Sequence, residues 1–274
     1  MIFRVLDIET VPDLGDWTPP PPKWQLTGGL MLTDSSGTFP ARVEKIEVFP
    51  PAHACRVVAL ATLDVEMCAD KSLPRYRFVA GSTVAKWRCP EDESSILWAF
   101  HHSMTESDLS CPTLVTWNGR TFDLPVLAMR SLKWGVPFGW YYRSKDVRYR
   151  YSDAGHLDLM DYLSDFGASR CAKLGEVARL VGLPGKVGPV RGDSVSEEVA
   201  AYVSENQAQY ETRARGVARY CLQDVLQTAL VWLRTRYHVG RIDRDEYHRS
   251  LETFSSSPDV RAMLEVDWDR VRIP

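Results

Sequence analysis

Residues 2 to 10 read Ile2-Phe3-Arg4-Val5-Leu6-Asp7-Ile8-Glu9-Thr10. The apolar run predicts a strand, and side chains two apart on a strand leave the same face, so Asp7 and Glu9 project together. Far along the chain, residues 220 to 224 read Tyr220-Cys221-Leu222-Gln223-Asp224, within a helical-looking segment from Arg213 to Arg236. A four-residue spacing puts Tyr220 and Asp224 on one helix face. Acids gathered from two elements repel one another, and divalent cations with oxygen ligands offset that repulsion. The tetrapeptide alone does not choose the site, because Leu63-Asp64-Val65-Glu66 repeats its pattern.

Working outward from the first strand, the segment from Asp13 to about Pro51 holds Pro19-Pro20-Pro21-Pro22, Gly28-Gly29 and Ser35-Ser36-Gly37. Such composition breaks regular structure, so a long surface insertion at residues 16–42 is expected. Strands follow at Arg56–Val65 and Arg75–Ala80, forming an antiparallel meander with the first. A helix at Glu91–Met104, a strand at Thr113–Trp117, a helix at Phe122–Trp134 and an extended piece at His156–Leu159 come next. Helices near Lys173–Val181 and Ser196–Gln207 lead into the long helix from about Arg213. This order predicts an α/β fold, a mixed five-stranded sheet flanked by helices, over residues 1–240. Residues 241–274 read as a helical C-terminal appendage.

The chain has 274 residues, 45% hydrophobic and 25% charged, enough to bury a full core. No apolar run approaches the roughly 20 residues that cross a bilayer, and the N-terminus lacks the basic start of a signal peptide. A soluble protein with no membrane association, cytoplasmic in location, is the expectation. The six cysteines form no C-x-x-C pair, so buried reduced thiols are expected rather than a zinc knuckle or disulfide framework. A net charge of −3 argues against broad coating of duplex nucleic acid but leaves room for a local groove. Arg143, Lys145, Arg148 and Arg150 alternate with Tyr141, Tyr142, Tyr149 and Tyr151, the mixture a single-strand path uses; a solvated loop whose tyrosines cover the core is the alternative.

Thr116-Trp117-Asn118-Gly119-Arg120-Thr121-Phe122-Asp123-Leu124-Pro125 supplies a third element. Asn118 and Gly119 make a turn after the strand, and Phe122 anchors a helix at whose start Asp123 points outward. With Asp7-x-Glu9 and Tyr220-x-x-x-Asp224, this resembles the proofreading-type exonucleases of the DEDDy class, whose three motifs come in this order. His156-Leu157-Asp158-Leu159-Met160-Asp161, Lys173-Leu174-Gly175-Glu176 and Gly182-Leu183-Pro184-Gly185-Lys186 narrow the likeness. They look like the stand-alone family of predicted 3′–5′ exonucleases related to the exonuclease domain of B-family DNA polymerases. The likeness covers roughly residues 1–15 and 45–237; the insertion and the tail after Gly240 lie outside it.

That resemblance implies a ribonuclease H-like fold and a metal-dependent 3′–5′ exonuclease. Asp7, Glu9, Asp123 and Asp224 would ligate two divalent cations, Mg²⁺ or Mn²⁺, and Tyr220 would orient the attacking water. Asn118, Phe122, Arg150 and Lys186 are the expected substrate contacts. Single-stranded nucleic acid is the expected partner, DNA ahead of RNA, and a protein partner is expected to dock through the 16–42 insertion. Asp64 and Glu66 match no motif and read as exposed carboxylates. His53 and His156 read as structural, and Asp158 as a helix-start residue rather than a fifth ligand. Three competing readings stand beside this one. An exoribonuclease would use the same site, a phosphatase would want D-x-D in place of Asp7-x-Glu9, and a binding module would have kept the fold without catalysis.

Overall fold

Strand β1 (Ile2–Pro12) runs through the middle of a five-stranded sheet, and its near-continuous apolar sequence follows from burial on both faces. The computed structural model describes residues 1–20, 23–27, 42–46, 48–70, 72–105, 111–185, 192–201 and 207–273, with backbone alone for 23–27, 42–46 and 193. Strands β2 (Lys23–Thr27) and β3 (Arg42–Ile46) pair antiparallel in a separate two-stranded ladder. The insertion is therefore not irregular throughout, as its turn-rich composition predicts: its two ends satisfy each other's backbone groups.

The main sheet continues with β4 (Cys55–Met67), β5 (Tyr76–Ala85), β6 (Thr113–Thr116) and β7 (His156–Asp158), in the spatial order β5-β4-β1-β6-β7. β4 lies between β1 and β5 and is antiparallel to both, whereas β6 runs parallel to β1 and β7 parallel to β6. This is the expected mixed α/β sheet with helices on both faces. Helices α1 (Pro90–Thr105) and α2 (Asp123–Trp134) cover one face, where Leu6, Ile8, Leu114, Ile96, Phe100 and Leu127 share a core. Two short helices that periodicity does not predict, α3 (Gly139–Arg143) and α4 (Lys145–Arg148), lead towards β7. α5 (Leu159–Leu163), α6 (Leu174–Leu180) and α7 (Val195–Ala200) follow.

Helix α8 (Gln207–His238), longer at its start than the sequence predicts, crosses the other face. It buries Cys221, Val225, Leu226, Ala229 and Trp232 against Phe3, Val5, Ala61 and Leu63. The Trp232 ring lies 4.8 Å from both Phe3 and Tyr76. Beyond Gly240, α9 (Arg244–Ser255), α10 (Pro258–Met263) and α11 (Trp268–Val271) join this same core through Tyr247, Phe254, Val260 and Val271. α9 also shields the sheet edge. The Tyr76 and Phe78 amides of β5 donate to Ser250 Oγ at 3.1 Å and Thr253 Oγ1 at 3.0 Å, so a bare edge is capped from within the chain. No described helix is long and apolar enough to cross a membrane.

Several expectations are corrected. Asp64 is not a free exposed carboxylate but accepts two bonds from Arg4, at 2.8 and 2.7 Å, and Glu66 pairs with Arg77. The register sets Asp64 and Glu66 opposite Arg4 and Ile2, further along β4 than Ala61 and Ala59, which face Asp7 and Glu9. Cys55, Cys68 and Cys221 are buried thiols, but Cys89, Cys111 and Cys171 are exposed, so only half of the cysteines fit the buried reading.

Candidate active site

Phe3 and Val5 point into the core under α8, and alternation carries Asp7 and Glu9 onto that same face. Their partners on β4 are Ala61 and Ala59, whose small side chains leave room for two carboxylates. On α8, Val217, Tyr220, Cys221, Asp224 and Val225 form one buried stripe, as their spacing requires. The apolar members seat the helix on the sheet, and that seating brings Tyr220 and Asp224 over Asp7 and Glu9. Cys221 Sγ lies 3.5 Å from both the carbonyl oxygen and Oδ2 of Asp7.

Asp123 arrives by a different route. β6 pairs with β1 only from Phe3 to Val5, so further along β1 the backbone groups on that side need other partners. The chain turns back after β6 at Asn118, whose φ is +66°. Gly119 packs against Thr116 so closely that a Cβ there would lie 2.5 Å from the threonine Cβ. The turn delivers Asp123 to the start of α2, where its Oδ1 accepts a bond from the Ile8 amide at 3.1 Å. Asp123 is thus 3% exposed and points into the sheet, not outward as its helix-start position predicts.

Asp158 holds this turn. Its carboxylate accepts from the backbone amides of Asn118 and Arg120, both at 2.9 Å, and also from Met160 at 3.1 Å at the start of α5. It is a helix-start residue, as expected, that additionally fixes the loop leading to Asp123. His156 is fully buried, and its Nε2 pairs with Thr116 Oγ1 at 2.8 Å; burial, then the nearby Arg120, lowers its pKa to about 3, so it is a neutral structural imidazole. His53 is exposed, and its carbonyl accepts from Arg130.

The electrostatics record the crowding of acids. Burial, then the charges of Asp123, Glu9 and Asp224, push the Asp7 carboxyl well above the carboxylate range. Burial raises Asp123 to about 7, against the opposing backbone hydrogen bonds and with a further push from Asp158. The Tyr220 hydroxyl is pushed up by burial and by Asp224, Glu9 and Asp7, and it hydrogen-bonds Asp224. Tyr220 therefore stays a neutral hydrogen-bond donor. Burial and the same acids keep Cys221 a neutral thiol as well. Among the described residues, Asp7, Glu9 and Cys221 bring ligand atoms within 4.8 Å of one another. Clustered, desolvated carboxylates are disfavoured when charged and unpaired, so the acids of this site suit hard divalent cations, whereas the Cys221 thiol is a softer donor.

The expected substrate contacts are distributed unevenly. Asn118 forms the turn and accepts a bond from Thr121 Oγ1 through its own Oδ1. Phe122 is half-buried beside Phe49, ring centroids 5.5 Å apart. Arg150 is held by Asp161 through two bonds of 2.8 and 2.6 Å and donates to the Phe166 carbonyl, so it braces its own loop. Lys186 lies outside the described residues.

Sequence reading missed Cys221 beside Asp7, whose only local cue is its position inside the Tyr220–Asp224 motif. It also missed the cluster behind the site. Arg130, 1% exposed, makes a two-point pair with Glu93 and bonds to Asp13, Asp16 and the His53 carbonyl, while Glu93 also accepts from the Val57 amide. Both stems of the insertion are thereby tied to α1 and α2.

The chain is similar to solved structures of two kinds. One is the family B DNA polymerase from the hyperthermophilic archaeon Pyrobaculum calidifontis, with 16% identity and a TM-score of 0.49 over 97% of this chain and 30% of that one. Another is Exonuclease I of E. coli in complex with a dT13 oligonucleotide, with 12% identity and a TM-score of 0.38 over 90% of this chain and 45% of that one. The chain thus spans less than half the length of either. No curated protein matches it. Residues 47–264 match the family described as predicted 3′–5′ exonucleases related to the exonuclease domain of PolB, a match that begins after Asp7 and Glu9 and runs past Gly240 to the end of α10. On the strength of that match over most of its length, the chain belongs to this family of predicted 3′–5′ exonucleases.

Proposed function

We propose that this protein hydrolyses phosphodiester bonds from the 3′ end of single-stranded nucleic acid, with DNA the favoured substrate, using two divalent cations, Mg²⁺ or Mn²⁺. The observation that carries the reading is the gathering of Asp7, Glu9, Asp123 and Asp224 with Tyr220: burial and the charges of Asp123, Glu9 and Asp224 all raise Asp7, and Asp224, Glu9 and Asp7 all raise Tyr220. Asp7, Glu9, Asp123 and Asp224 would hold the cations. When bound, the cations would supply a nucleophilic hydroxide at neutral pH, a clamp on the scissile phosphate and charge for the leaving oxygen.

The chain's own residues do the rest. Tyr220, neutral and buried to 4% exposure, holds its one O–H proton toward Asp224; turned to a water or phosphate oxygen, that proton would position it, and the phenol is unsuited to take another. Asp158 holds the 118–123 turn so that Asp123 keeps its place beside Ile8. Cys221 fixes the Asp7 carboxylate by donating to Oδ2. The preference for DNA rests on the family's relation to the exonuclease domain of PolB. A pure binding module is disfavoured because four acids facing a polyanion repel it unless cations intervene.

Because the insertion leaves β1 within a few residues of Glu9 and its stems are anchored by Arg130, we read residues 16–42 as a docking arm for a protein partner. Incubating single strands of DNA and RNA, labelled at the 3′ or the 5′ end, with Mg²⁺ or Mn²⁺ tests the central reading. Immediate release of the 3′ label, with the 5′-labelled strand shortening stepwise, is expected, on DNA faster than on RNA. Absence of any release with either metal would overturn it.

A further inference from the structure

Next to the turn that carries Asp123 lies a surface the catalytic reading does not use. Tyr142, Tyr149 and Tyr151 are 53, 60 and 60% exposed, although tyrosine rings usually bury most of their area. Tyr149 and Tyr151 stand edge to face with centroids 5.8 Å apart, and the Arg148 guanidinium lies 5.4 Å from the Tyr142 ring centre. Arg143, Lys145 and Arg148 are exposed around them, and among the described residues none of the three makes an ion pair. Asp146 is the acid in their midst. Of the four tyrosines, Tyr141 is half-buried and packs on the core, as the alternative to a strand path expects, whereas Tyr142, Tyr149 and Tyr151 do not.

The patch is joined rigidly to the site. Arg120 donates through Nη1 to the Arg148 carbonyl at 3.1 Å, while its own amide donates to Asp158. Arg120 precedes Asp123 by three residues, which limits its Cα to within roughly 11 Å of the acid's. The brace between Arg150 and Asp161 fixes the chain between Tyr149 and Tyr151.

Resting on the exonuclease reading, we propose that this surface carries the single strand upstream of its 3′ end. Bases would stack on Tyr149 and Tyr151, and phosphates would pair with Arg143, Lys145 and Arg148. Cationic side chains interleaved with exposed rings suit a flexible polyanion whose every unit offers a π-face.

The test compares binding of 5′-fluorescein dT12 in Ca²⁺, by anisotropy, with turnover of a dinucleotide too short to reach the patch. Replacing both tyrosines (Y149A/Y151A) is expected to weaken dT12 binding at least about thirtyfold, the low end of base–aromatic stacking for two bases, with dinucleotide turnover unchanged. The paired conservative variant Y149F/Y151F should bind like the parent, because stacking survives. Lys145→Ala should reduce the slope of log affinity against log salt by about 0.7, the value for one lost phosphate contact on a single strand. Unchanged dT12 binding in Y149A/Y151A would overturn the proposal. So would loss of self-association in that variant with oligonucleotide binding intact, which would assign the patch to a second copy of the chain. If the parent binds dT12 through the tyrosines yet hydrolyses nothing, the strand path stands and the exonuclease reading fails. Hydrolysis of long and short substrates that ignores the tyrosines has the reverse meaning.

Discussion

Replacing Asp123 with asparagine should stabilise the metal-free protein at neutral pH while destroying its response to metal. Asp123 is 3% exposed, and burial raises its pKa from the ordinary 3.8 to about 7. Below pH 3.8 the carboxyl is neutral whether the chain is folded or not, so it contributes nothing. As pH rises from about 4 to 7, the unfolded chain releases this proton and the folded chain keeps it, so stability falls and then levels off above pH 7. A displacement from 3.8 to about 7 is worth roughly 4 kcal/mol at the plateau. The carboxamide of the variant never ionises, and its oxygen can still accept from the Ile8 amide. Urea unfolding in EDTA at a series of pH values should therefore give equal stabilities for parent and Asp123→Asn near pH 4. By pH 8 the variant should be more stable by up to roughly 4 kcal/mol. Comparing the two proteins cancels the titration of other groups to first order, apart from Asp7, whose pKa Asp123 also raises, in the same direction. Added Mg²⁺ or Mn²⁺ should reverse the order at pH 8, because only the parent offers the fourth carboxylate. A difference that stays flat with pH, or a parent that is the more stable protein in EDTA at pH 8, would refute the reasoning.

Tyr220→Phe should slow turnover markedly while leaving Mn²⁺ affinity by titration close to the parent's, whereas Asp7→Ala and Asp224→Ala should abolish both; full activity in Asp7→Ala would remove the site assignment. Arg130→Ala strands the buried Glu93 carboxylate and should cost about 3–5 kcal/mol in urea unfolding; a loss below about 1 kcal/mol would mean that the cluster contributes little. Replacing residues 18–41 by a short Gly-Ser linker keeps Asp13 and Asp16 on Arg130, so the fold should survive by circular dichroism while substrate preference or processivity changes. Identical kinetics on every substrate would rule out a role for the arm in the reaction.

What could be read from the chain was what repeats over short distances. Alternation along residues 2–10 placed Asp7 and Glu9 on one face, and four-residue spacing aligned Tyr220 with Asp224, because strand and helix geometry act between neighbours. The five strands of the sheet and the order of the main helices followed from the same periodicities. The β2–β3 ladder did not, since its partners meet across a segment with no periodic pattern. The tail gave helices but not their destination. Only folding shows that Ser250 and Thr253 cap the β5 edge and that Tyr247 and Phe254 complete the core beneath α8.

The site divides along the same line. By itself the sequence determined which acids and which phenol are present and which of them share an element, since those facts depend on spacing alone. Tertiary structure decided that Asp123 turns inward onto the Ile8 amide, 115 residues away, and that Asp158 holds its loop from β7. It also brought Cys221 against Asp7 across 214 residues and paired Asp64 and Glu66, which the order of motifs had already set aside, with Arg4 and Arg77. The physical reason is that pairing register and burial belong to contacts between distant segments. They set which carboxylates lose water together, and so which of them need cations.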